Sequence, residues 1–70
     1  MKFEIGDIVV VSASVMGDGK EYLGVIDDIQ LFLNTHFIYV TFNHPTSTGV
    51  SGITITNPEL LTLYWSYGSH

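Results

Sequence analysis

Seventy residues and 7.8 kDa allow one domain with one core, and a chain this short hides only about 60% of its unfolded surface on folding. Its 46% hydrophobic and 13% aromatic content, at a mean hydropathy of +0.33, excludes intrinsic disorder, and without cysteine there is neither a disulfide nor a thiolate metal site. Two lysines, no arginine and seven acids leave a formal charge of −5 and a pI near 4.6, which argues against gripping a phosphate backbone.

The chain opens Met1-Lys2-Phe3-Glu4, with an acid where a signal peptide runs apolar, and its longest apolar run, Ile8-Val9-Val10-Val11, is far short of a membrane span. A cytoplasmic protein with no membrane attachment is the expectation. Residues 3–11 are rich in β-branched side chains around Gly6-Asp7 and predict a first strand. Gly17-Asp18-Gly19 then turns the chain.

Over Tyr22–Phe32, a helical spacing through Val25, Ile29 and Phe32 competes with the strand preference of Gly24, Val25, Ile26 and Ile29; the strand is the expectation. Asn34-Thr35 turns, and residues 37–42, aromatic and β-branched throughout, give the clearest strand of the chain. Residues 43–49 form a loop around Pro45, and residues 50–56 a fourth strand. Asn57-Pro58-Glu59-Leu60 reads as one helical turn, with Asn57 capping and Pro58 at its first position. A last strand runs from Leu61 to Trp65 or Tyr67. Residues 1–67 are thus expected to form one barrel, and 68–70 a flexible tail.

Five short strands with one helical turn before the last describe a small all-β protein whose sheet closes on itself. The segments Ile5-Gly6-Asp7-Ile8-Val9-Val10-Val11, Gly24-Val25-Ile26-Asp27-Asp28-Ile29, Ile38-Tyr39-Val40-Thr41-Phe42 and Glu59-Leu60-Leu61-Thr62-Leu63 resemble the small SH3-like barrels, the group that includes Tudor and KOW domains. Residues 39–63 are also similar to photosystem I reaction-centre subunit IV, and residues 5–15 to the variable chain of ferredoxin-thioredoxin reductase. The resemblance implies a five-stranded SH3-like barrel and a role in docking to other proteins.

In that register Phe3, Ile5, Val9, Val11, Ile26, Ile29, Ile38, Val40, Phe42 and one or two of Leu60, Leu61 and Leu63 point inward. The other parity sends Ile8, Val10, Val25, Phe37 and Tyr39 outward, where a free-standing barrel usually carries polar residues. With Tyr64, Trp65 and Tyr67 they form a candidate protein-binding face, rimmed by Asp7, Asp27, Asp28 and Glu59. The same face could serve a homodimer, or be covered by the chain's own loops and C-terminal aromatics.

Chemistry finds less support. Alternation along a strand turns Asp27 and Asp28 to opposite faces, which denies them a shared substrate. His36, His44 and His70 lack the partners a metal would need. Thr46-Ser47-Thr48 and Ser51 lie near His44 without an orienting acid, and Gly17-Asp18-Gly19-Lys20 lacks the phosphate-loop spacing. The expectation is a non-catalytic interaction module with no cofactor, metal or small-molecule substrate, acting as a subunit, an adaptor or a small inhibitor, of phage origin or otherwise. The alternatives are an acidic mimic of nucleic acid that blocks a nucleic-acid-binding protein, and a KOW- or Tudor-type barrel associated with nucleic acid itself.

Overall fold

The computed structural model describes residues 2–69. Five strands form, β1 (Ile8–Val11), β2 (Tyr22–Phe32), β3 (Thr35–Phe42), β4 (Gly52–Ile55) and β5 (Leu61–Trp65), with 3-10 turns at Pro58–Leu60 and Tyr67–Ser69. They make one antiparallel sheet in the order β4-β3-β2-β1-β5. The fold is therefore all-β, with a single helical turn before the last strand, as expected. Where helix and strand spacings competed, β2 is extended throughout, because both its flanks pair with β-branched neighbours.

Phe3, Val9, Val11, Ile26, Ile38, Val40, Phe42, Ile55 and Leu61 are buried in one cluster. Ile55 belongs to one edge strand and Leu61 to the other, so the sheet must wrap to bring both to the same core. The hydrogen-bonded ladder has no β4–β5 rung among the described residues. Val15 and Met16, from the loop after β1, pack on the core together with Ile29, Ile53 and Leu60.

Gly24 lets β2 and β3 come together. A Cβ there would lie 2.5 Å from Val40 Cγ1 and 2.9 Å from the Thr41 carbonyl oxygen, so only glycine fits. Tyr22 on one side of it stacks obliquely on Phe42, with ring centroids 5.6 Å apart.

The beginning of the chain departs from the expected strand. Residues 4–7 make a tight turn, with the Asp7 N–H donating to the Glu4 carbonyl at 3.1 Å and Gly6 at φ +97° in the third position, so β1 starts only at Ile8. Gly6 N–H and the Asp7 carbonyl then both engage Ile26, at 2.8 and 2.9 Å, a glycine bulge that launches the strand. The turn lifts Ile5 out of the core, and it stands 54% exposed. Ile55 on β4, opposite Ile38, joins the core although the expected inward set lacked it. At the other end, Tyr67–Ser69 form a second 3-10 turn where a tail from Gly68 was expected, with Gly68 beside the Glu4 carboxylate. His70 lies outside the described residues.

Candidate functional site

Cross-strand register assembles the outward face. Ile8 sits directly between Val25 on β2 and Trp65 on β5, and Val10 between Leu23 and Thr62. Residues opposed in this way have Cβ atoms about 4.5–5.5 Å apart, so Trp65, Ile8 and Val25 form one apolar row. Beyond β2 the same face continues on β3 through Phe37 and Tyr39, which alternate with the buried Ile38 and Val40. Ile8, Val10, Val25, Phe37 and Tyr39 are all half-buried.

The C-terminal aromatics flank this row. The Trp65 and Tyr67 rings stand 6.2 Å apart at 56°. The Tyr67 ring also closes over Gly6, where an added Cβ would meet its Cγ at 3.0 Å. Tyr64 occupies the register shift that offsets β5 from β1, and it is exposed. Leu23 belongs to the face as well, though the sequence reading missed it; its two-residue spacing from Val25 is the signal that would have found it.

The expected acidic rim is partly redrawn. Asp7 is 1% exposed and belongs to the interior: its carboxylate accepts the Glu4 N–H at 2.9 Å and the Tyr67 N–H at 3.0 Å. Glu59 lies on the helical turn that enters β5 at Leu61, at the far end of that strand from Trp65. Asp27 and Asp28 remain, and they share a face after all. The β2–β3 register shifts between Ile26 and Asp28, so Asp27 is the extra residue of a bulge and strict alternation fails there. Asp27 accepts a hydrogen bond from the hydroxyl of Thr41, the outward partner of Val25, and Asp28 pairs with the outward Tyr39. Asp28 also accepts the Ile29 N–H and the Gln30 amide, each at 2.9 Å. The site is thus a half-buried apolar sheet face with two carboxylates at its border.

A second exposed apolar group lies elsewhere. Leu31 and Phe32 are each 63% exposed and Leu33 81%, at the tip of the β2–β3 hairpin. Three consecutive large apolar residues break the alternation of a half-buried strand, a signal readable in the sequence but absorbed into the strand assignment.

A polar cluster links two loops on the other side of the molecule. Asp18 accepts hydrogen bonds from the Ser47 hydroxyl at 2.6 Å, from the Tyr22 hydroxyl and from the Lys20 N–H at 3.0 Å. The bonds from Ser47 and then Tyr22 hold its carboxyl down at about 2. His36 is half-buried on β3 opposite Leu31, whereas His44 is exposed in the loop after β3. No group of three metal-ligating side chains and no concave pocket occurs among the described residues, and no helix there is long and apolar enough to cross a membrane. Protein-family models, curated proteins and solved structures were each compared with the chain, and none matches.

Proposed function

We propose that this chain is a non-catalytic interaction module that binds another protein through the face of β5, β1 and β2 and its continuation on β3. The observation that carries the reading is the row Trp65, Ile8 and Val25, with the exposed Tyr67 ring 6.2 Å from Trp65 and the half-buried Tyr39 and Phe37 on the same side of β3, a set of large apolar side chains that the 70-residue chain does not fully bury. Rigid aromatic side chains lose little entropy on docking and often dominate interface energetics, so Trp65 and Tyr39 are the expected anchors. Asp27 and Asp28 then select a partner with lysine or arginine beside its apolar patch. The nucleic-acid-mimic reading draws less support, since Asp7 is buried and Asp18 is engaged by Ser47 and Tyr22.

Affinity capture from cells that naturally express the chain tests this. Trp65→Ala and Tyr39→Ala should each lower retention of a specific protein by about tenfold or more. Retention of no specific protein, together with unchanged sedimentation of both variants, removes the basis of the proposal. Raising salt to about 0.5 M should weaken binding only modestly, because the contact is mainly apolar; a collapse of affinity would favour the mimic instead.

A further inference from the structure

The β2–β3 hairpin outruns the sheet that carries it. β1 accompanies β2 only as far as Ile26, and β4 accompanies β3 only to Ile38, so the pairs Gln30–Phe37, Leu31–His36 and Phe32–Thr35 form a free two-stranded arm. Its tip exposes Leu31, Phe32 and Leu33 together. Leu33 and Asn34 turn the chain with φ of +50° and +64°, the mirror-image turn that glycine, asparagine and aspartate prefer. A leucine there is disfavoured by its own Cβ, and at 81% exposure its side chain gains little from the fold in return. Strain kept at an exposed apolar residue points to a use outside the chain.

The surroundings choose among occupants. From Ile29 to Pro58 the sequence holds no Asp, Glu, Lys or Arg, while Asp27 and Asp28 stand at the base of the arm. An anionic membrane surface would repel a chain of charge −5 whose arm offers no lysine or arginine. A second copy is also a poor fit: it too carries charge −5 and has no lysine or arginine after Lys20 in the sequence, so its own arm would set Asp27 and Asp28 against like charge. Strand addition along β2 is blunted too, because Asp28 occupies the Ile29 N–H with its own carboxylate. We infer that the arm is an anchor, seating Leu31, Phe32 and Leu33 in an apolar pocket of a protein partner whose mouth carries lysine or arginine opposite Asp27 and Asp28. The inference rests on the interaction-module reading and adds a second anchor, on a different surface from that of Trp65 and Tyr39.

A photo-crosslinker at the tip tests it. The full chain with Thr35→p-benzoylphenylalanine, irradiated in lysate of its natural cells, should give one adduct whose linked peptide lines an apolar pocket flanked by Lys or Arg. Leu33→Asn, which suits the turn, should raise the melting temperature by roughly 4–8 °C while cutting the adduct at least tenfold; Phe32→Ser should cut it as well. An adduct with a second copy of the chain, flotation with phosphatidylcholine vesicles, an adduct on a flat or acidic surface, no adduct, or one undiminished by Leu33→Asn would each overturn the anchor. If Trp65→Ala abolishes partner retention and Leu33→Asn leaves it whole, the anchor falls and the interaction module stands. If neither surface retains a protein, both fall.

Discussion

Asp7 and Asp18 show how differently one residue type serves this fold. Asp7, buried, ties the first turn of the chain to the last by accepting two backbone N–H groups. Removing a buried acceptor strands its donors, so Asp7→Ala should lower unfolding stability by about 2–3 kcal/mol in urea titrations, with Asp7→Asn losing less because one acceptor oxygen survives. Asp18, at the surface, joins the loop after β1 to the loop after β3. Its carboxyl is depressed from 3.8 to about 2, so what it contributes to stability is fully present above pH 3.8 and is lost as pH falls toward 2. NMR titration of the Asp18 carboxyl should show a midpoint near 2, and Ser47→Ala should move it back toward 3.8. Neither role was legible in the sequence. Asp7 followed Ile5-Gly6 in a stretch whose composition reads as strand, and Asp18 sat in a glycine turn whose partner Ser47 is 29 residues away.

At the scale of elements, composition carried the strands well and their irregularities poorly. β2 was legible because Val25, Ile26 and Ile29 fit a pleated surface better than a helix. Its bulge at Asp27 was not, since one extra residue leaves composition and average alternation unchanged while moving Asp28 to the face of Asp27. The turn at Gly6 is the same case: its φ of +97° ends the extended run that the β-branched residues around it suggest. The outward row Ile8, Val10 and Val25 did follow from parity alone, because no bulge intervenes between Ile8 and Val11 on the β2 side. The function of Gly24 is likewise a property of the assembled element. Gly24→Ala would drive a methyl group into Val40 and the Thr41 carbonyl, and should cost about 1–3 kcal/mol, read as a lower urea midpoint with an unchanged slope.

Over the whole molecule, charge is divided as unevenly as hydrophobicity. All nine formally charged side chains, seven acids and two lysines, fall in residues 2–28 or at Glu59. Self-repulsion among the acids opposes the compact state and is screened by salt. The melting temperature should therefore rise, by roughly 2–5 °C, as NaCl increases from about 10 mM to about 0.5 M; a fall would mean that attractive pairs dominate instead. The tie between Asp7 and Tyr67 also has a mechanical meaning. It holds the two ends of the chain side by side, where Ile8 at the start of β1 faces Trp65 at the end of β5. Force applied between the termini pulls across that pair of strands, perpendicular to their length, and opens their hydrogen bonds one after another instead of loading them together. Stretched by its ends, this sheet should yield like a zipper at low force.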